Sequence, residues 1–439
     1  MLKKIDLFVL FVFIAVIWKI LLVHFFDKNL IGYTELIFSI ILFIYSLFGL
    51  LDSIKAWYLG LLGYSVFCFF DIYKSLILFN YWPSPSYKYT IIVINISLLV
   101  FIIGYHVFFR EKKIYKKNTS KIHVYMGRGL IVTIPMLLLC IYYSMYPPKD
   151  NVSYLISFFP KAFLVLAAWY SIVNKRYFML LPVFIGMYFV HTEISRRIYI
   201  VVFFMLVAVL QSSFKVNFIR LSGKHKIIIS FLLASLFIFA SYLRSDFNYG
   251  EGFVEGDRLQ STINYIENAK AVDVFENTDF VIDSIPWIRP YYMGQTYFAI
   301  FVQFIPRSFW KDKWVSFGAH LALLKRYGIK WFDNDTWKYV TGGFSYSTGF
   351  VGESYANFGL IGVLVMSLFF GVVARFFDKH IKYDVIFDNA KLFPIAAFYG
   401  AFFLVSRGDM LMATYFSILY FLFIKILIHV YDMVGCVSK

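Results

Sequence analysis

Residues 354–377 read SYANFGLIGVLVMSLFFGVVARFF, a run of 24 in which Arg375 is the only charged side chain. About 20 apolar residues in helical form cross the hydrocarbon of a bilayer, and a helix satisfies its own backbone polar groups there. This stretch therefore predicts a membrane span. Glu353 stands immediately before it, where a helix N-terminus favours negative charge. A first-turn capping role and a chemical role for this carboxylate weigh equally on sequence.

Similar windows occur at 5–26, 30–50, 56–79, 90–109, 129–146, 154–173, 177–190, 198–214, 227–243, 392–405 and 410–430. Together they predict an all-α polytopic membrane protein of about 12 spans, forming one integral membrane domain over 1–439. Composition agrees with that class. The chain is 60% apolar and 15% charged, whereas soluble domains average about 45–50% and about 25%. Lys3 and Lys4 precede the first window and no small-residue cleavage site follows it, so an uncleaved first span is expected. Cys68 and Cys140 lie in apolar runs and Cys436 lies at the tail. No disulfide scaffold, metal site or cofactor is indicated.

The net charge of +16 would suggest nucleic acid in a soluble protein. With both termini cytoplasmic, however, 20 Lys or Arg fall in inner segments and six in short outer loops, as the positive-inside rule requires. The densest inner run is Arg110, Lys112, Lys113, Lys116, Lys117, Lys121 and Arg128, suited to anionic lipid. Keeping the short 177–190 window puts Lys215, Arg220, Lys224 and Lys226 on that same side. Orientation accounts for the surplus, and no nucleic-acid partner is needed.

By parity, 244–352 is a large extracytoplasmic loop. Its 11 basic and 12 acidic residues nearly cancel. Trp287, Tyr291, Tyr292, Phe298, Trp310, Trp314 and Trp331 make it too aromatic for a disordered linker. Short helices are predicted at 263–274 and 318–327, and 297–304 is apolar enough to lie in the interface or dip back into the bilayer. The glycines of Thr341 to Gly349 allow a tight path before the next helix. Gly359 with Gly362, and Gly371 with Ala374, suit close helix packing. Asp71, near the outer end of the third span, is either on a proton or substrate path or paired with Lys74.

The same topology gathers Arg196, Arg197, Arg244, Arg289, Arg307 and Arg407 at the outer face. A guanidinium is a planar fork of donors suited to phosphate or diphosphate. Taken singly, each arginine is equally a snorkelling or salt-bridged helix end; the whole set points to an anionic, lipid-linked substrate. His191 and His320 also lie outside. His191, Thr192 and Glu193 lack the spacing of a zinc signature.

Phe304-Ile305-Pro306-Arg307-Ser308-Phe309-Trp310, followed by Asp312-Lys313, resembles the first signature of the Wzy-type polymerases of O-antigen and capsular repeat units. Gly352 to Gly362 resembles the second. Arg196 and Arg197, and Arg407-Gly408, resemble the arginine elements of the same family. Lys311 and Trp314 stand where that family often has proline, and Asp409 where a hydroxyl is frequent. The resemblance implies a GT-C-like helical architecture in a bacterial plasma or inner membrane, with the active site facing outside. It implies transfer of a growing glycan from polyprenyl diphosphate to an incoming lipid-linked repeat unit. Membrane lipids surround the enzyme, and a flippase and a chain-length regulator are the implied protein partners. On this reading Arg196, Arg197, Arg307 and Arg407 bind diphosphate and Glu353 activates or positions. Arg244, Arg289, Tyr291, Tyr292, Trp310, His191 and His320 contact substrate. A lipid-linked glycan ligase, and an oligosaccharide flippase or transporter, are the alternatives.

Overall fold

The computed structural model describes residues 7–52, 55–78, 80, 84–107, 129–146, 151–173, 181, 185, 274–302, 305, 309, 310, 314, 316–328, 345–380, 397–408 and 410–437. In chain order the helices are α1 (Leu7–Leu22), α2 (Lys28–Asp52), α3 (Ala56–Leu78), α4 (Tyr87–Val107), α5 (Gly129–Met145), α6 (Asn151–Val173), α7 (Val274–Ser284), α8 (Gln295–Val302), α9 (Phe317–Tyr327), α10 (Gly349–His380), α11 (Ala397–Leu404) and α12 (Met410–Val437).

The expectation of about 12 spans is overturned. Among the described residues, four helices are long and apolar enough to cross a membrane: Lys28–Leu50, Ala56–Leu78, Tyr87–His106 and Gly349–Asp378. The physical reason is continuity. Hydropathy windows count apolar residues whether or not one helix carries them. Among the described residues α11 covers 8 and stops in a turn at Val405–Arg407, and α1 covers 16. α5 covers 17 with Pro135 inside it. The windows at 177–190, 198–214 and 227–243 lie outside the described residues but for Leu181 and Ile185. The GT-C-like architecture, expected with about 12 spans, falls with the span count. What stands is an all-α, multi-pass membrane protein with several apolar spans.

α10 lies along α4, and glycines let the two backbones meet: a Cβ at Gly371 would strike the Phe101 carbonyl oxygen and come within 2.9 Å of the Tyr105 nitrogen. Polar side chains cross-link the spans inside this apolar core. The Tyr64 hydroxyl hydrogen-bonds that of Ser97 at 2.6 Å, and Ser97 that of Ser367 at 2.8 Å, tying α3, α4 and α10 together. Lys19 of α1 pairs with Glu35 of α2 at 2.5 Å and lies over the rings of Phe38 and Phe69. α3 is not a plain α-helix, for Tyr64–Phe69 and Lys74–Leu78 are π-helical, a local widening often found where a side chain must be re-aimed.

Carboxylates of one helix hold the N-termini of others. Asp378, at the end of α10, accepts from Ala56 N at 2.7 Å and Trp57 N at 3.1 Å, the first amides of α3, and from the Tyr105 hydroxyl at 2.9 Å. First-turn amides have no intrahelical partner, so a carboxylate there meets both an orphan donor and the positive end of the helix dipole. Asp378→Ala strands two amides, and we expect it to lower stability by about 2–4 kcal/mol, read as a lower midpoint of thermal unfolding in detergent.

The region 244–352, expected as a loop with short helices, carries α7, α8, α9 and the start of α10 among its described residues, joined by turns and irregular backbone. α7 begins at the last residue of the helix predicted for 263–274, whose other residues lie outside the described set. α9 matches the helix predicted for 318–327, and α8 occupies most of the apolar 297–304 stretch.

Candidate functional site

α7 is the fixed wall of the site. Its N-terminus is held by Asp71 of α3, whose Oδ2 accepts from Phe275 N at 2.7 Å while Oδ1 lies 3.3 Å from Lys74 Nζ. The Asp71–Lys74 pairing weighed on sequence is present, joined to this cap. On its next turn Asp279 accepts from Thr90 at 2.7 Å, Ser84 at 2.8 Å and Ser86 at 3.4 Å. Burial raises the Asp279 pKa, and the three hydroxyls work against that rise. Asn277 and Thr278 donate to the carbonyls of Ser347 and Thr348, each at 3.0 Å. Lys325 of α9 pairs with Glu276 and donates to Asn277 at 2.8 Å.

α10 is broken at Phe358 (φ −144, ψ 22) and Gly359 (φ 61, ψ −149), the second a backbone region that only glycine adopts without strain. A broken helix leaves carbonyls without helical donors. Two of them are taken by residues 292 and 293: Tyr292 N donates to Ala356 O at 3.0 Å and Met293 N to Asn357 O at 3.2 Å. The Asn357 side chain completes the splice, accepting from Gly294 N at 2.9 Å and donating to Thr296 at 2.7 Å. The Tyr297 hydroxyl reaches Ser354 at 2.8 Å. Tyr291 rests over the break, where a Cβ on Gly359 would come within 2.9 Å of its hydroxyl.

This splice places Arg289. Its guanidinium lies 3.9 Å from the Tyr292 ring centroid, and Nη1 donates to the Tyr292 hydroxyl at 2.6 Å. Among the described residues no carboxylate pairs with it. Burial lowers the Arg289 pKa, and burial pushes that of Tyr292 up to about 12. His320 of α9 is buried with its ring 5.4 Å from that of Tyr292 at 82°. Burial first, and the Arg289 charge second, push its pKa down to about 3. A neutral imidazole thus adjoins a cation held by π-stacking and a hydroxyl. Such a guanidinium keeps donors for an incoming anion.

Glu353 and Arg407 meet at an adjoining seam. Gly349 N donates to Arg407 O at 3.1 Å and Phe350 N to Val405 O at 2.8 Å. One turn on, the fully buried Glu353 accepts from Met410 N, the start of α12, at 2.7 Å. Glu353 therefore caps a helix, but α12 instead of its own. The Arg407 guanidinium lies 5.7 Å from the Phe67 ring centroid. Glu353→Gln keeps an acceptor for Met410 N, so its abundance should match the parent, whereas Glu353→Ala should cost about 1–3 kcal/mol by stranding that amide. Membrane abundance and unfolding midpoint check both.

Of the residues expected from sequence, Arg289, Tyr291, Tyr292 and His320 come together, and Glu353 and Arg407 join along the N-terminal half of α10. Trp310 stands apart, 6.4 Å from Trp314. Arg196, Arg197, Arg244, Arg307 and His191 lie outside the described residues. Asn357, Asp279 and Asp378 were missed on sequence. An ionisable residue near an apolar window was the available signal for Asp378; nothing marked Asn357. Among the described residues no cluster of three or more His, Cys, Asp or Glu side chains is placed to hold a metal. No family model matches the chain, and neither does any curated protein or solved structure. Fold and site define a multi-pass helical membrane protein with an arginine–aromatic cluster beside a broken span.

Proposed function

We propose that the chain is a membrane glycosyltransferase that polymerises polyprenyl-diphosphate-linked oligosaccharide repeat units into a surface polysaccharide. On this proposal it works in a bacterial plasma or inner membrane with both termini cytoplasmic and the site facing outward. The single observation that carries the reading is Arg289, poised over Tyr292 with no carboxylate partner among the described residues. The backbone bonds that fix residues 292 and 293 run to Ala356 and Asn357, in the stretch that resembles a polymerase signature, and add to it.

In the reaction an acceptor sugar hydroxyl forms a bond to the anomeric carbon of the donor glycan while the bond from that carbon to the diphosphate oxygen breaks. The hydroxyl proton passes to water or a base, and polyprenyl diphosphate leaves. The largest demand is stabilising the negative charge that develops on the leaving group. Arg289, with Arg307, Arg407, Arg196 and Arg197, supplies guanidinium groups for that charge. Tyr291 and Trp310 offer aromatic faces to sugar rings, and Glu353 acts by fixing α10 against α12.

The test is purified protein with a defined polyprenyl-diphosphate repeat unit, products sized by gel and mass spectrometry. A ladder of multimers is expected. A single transfer to a different mature glycan acceptor makes the protein a ligase instead, and movement of intact substrate across vesicles without bond formation makes it a transporter. Arg289→Ala and Arg307→Ala should each reduce product at least about tenfold, the worth of roughly one charge-assisted contact, with membrane abundance retained. Equal loss of product and abundance assigns either arginine to the fold.

A further inference from the structure

α8 and the residues before it carry apolar surface within the 244–352 region, where 297–304 is apolar enough to lie in the interface. Gln295, Phe298 and Phe301 form its outward stripe, with Phe298 49% and Phe301 72% exposed. Thr296, Ala299, Ile300 and Val302 are buried, facing α10 and α12. None of the residues Gln295–Val302 is charged. Met293, 71% exposed, lies just before the helix. A contiguous aromatic patch of this kind marks an interaction surface.

The occupant is indicated by what the stripe continues into. Beyond the break, the outer face of α10 presents Phe358, Ile361, Val365 and Phe369, all exposed, with Ile361 at 70%. Their spacing is that of one helix face, the face a spanning helix turns to lipid. Tyr297 and Phe358 are in ring contact at 6.5 Å, so the stripe of α8 joins that face. Depth agrees with this. From Gly359 to Asp378 there are 20 residues, about 30 Å of helix at 1.5 Å per residue, the thickness of the hydrocarbon. The break thus falls at the hydrocarbon boundary. The hydrogen bonds from residues 292–294 to Ala356 and Asn357 fix the start of α8 at that level.

We infer that α8 is an interfacial helix whose Phe298–Phe301 face is covered by hydrocarbon chains of the bilayer leaflet at the Gly359 end of α10. The inference is independent of the transferase proposal, because it concerns the solvent around α8 and no chemistry.

The test places single cysteines in full-length protein reconstituted in vesicles. Cys436 is replaced by serine, and Cys68 and Cys140, both buried, are kept. Phe301→Cys is compared with Ile361→Cys on α10 and with Asp283→Cys, exposed on α7. A thiol in hydrocarbon is held protonated and out of water, so Phe301→Cys should react at least about tenfold more slowly than Asp283→Cys with a membrane-impermeant maleimide. Labelled with a permeant bimane, positions 301 and 361 should both be quenched by brominated phospholipid and position 283 should not. Fast aqueous labelling at 301 overturns the inference. Slow labelling without lipid quenching overturns it equally, because the face is then covered by protein.

Discussion

Gly349→Ala should lower stability by about 2–5 kcal/mol, and Gly328→Ala by only about 1–2 kcal/mol, although the two glycines have nearly the same backbone conformation. Gly349 has φ +60 and Gly328 φ +65, so each substitution incurs the left-handed strain of an L-residue. At Gly328, the C-cap of α9, a Cβ meets nothing within 4 Å. At Gly349 it would collide with the backbone oxygen of Ser406 and lie 3.5 Å from Val274. Backbone cannot yield as a side-chain tip does. The collision parts the seam in which Gly349 N and Phe350 N bond Arg407 O and Val405 O, and Glu353 lies one turn further along it. Unfolding midpoints of the two variants in detergent give the comparison. Equal losses would mean that strain alone matters and that the α10–α11 seam is not tightly packed.

The same seam marks how far the sequence could be read. The span beginning near residue 354 was legible because 20 apolar residues admit one solution in lipid, and α9 was legible from its short amphipathic pattern. The glycine run ending at Gly349 read as exposed amides, a tight path or flexibility, and the positive φ of Gly349 against Ser406 is what the fold adds there. The break at Gly359 was not foreseen, since Gly359 and Gly362 read equally well as a packing motif, and what distinguishes a break is the donor that its freed carbonyls find. That donor is the backbone of residues 292 and 293, which no side-chain pattern reveals. The cross-helix caps were hidden for a related reason. Asp378 and Ala56 are 322 residues apart, Asp71 and Phe275 are 204 apart and Glu353 and Met410 are 57 apart, so identity and charge were visible but proximity was not. For Glu353 the sequence left a first-turn role in its own helix and a chemical role equally weighted; the carboxylate bonds the first amide of α12 instead. The span count went astray because a hydropathy window counts apolar residues whether or not one continuous helix carries them.

Acid should destabilise the site through His320. The imidazole titrates near 6.5 when unfolded and at about 3 in the fold, where it is buried beside the Arg289 charge. Above pH 6.5 both states are neutral there and nothing is gained or lost. As pH falls from about 6.5 towards 3 the unfolded chain binds a proton that the folded chain refuses. Stability then drops, by on the order of 4 kcal/mol in total, and ceases to drop below both values. Asp279 acts in the opposite sense: its raised pKa means the fold takes up a proton before the unfolded carboxyl does, so its contribution grows as pH falls towards 3.8. The two are separable by variant. His320→Phe keeps a ring against Tyr292 and cannot be protonated, so its unfolding midpoint should change less than the parent's between pH 7 and 4.5. Asp279→Asn should steepen the parent's acid loss, since the opposing contribution is gone. Parallel pH profiles for parent and His320→Phe would show that the imidazole is not the group that acid attacks. They would also remove the support for a neutral histidine beside Arg289, leaving the arginine with a second cation as its neighbour in the acid range.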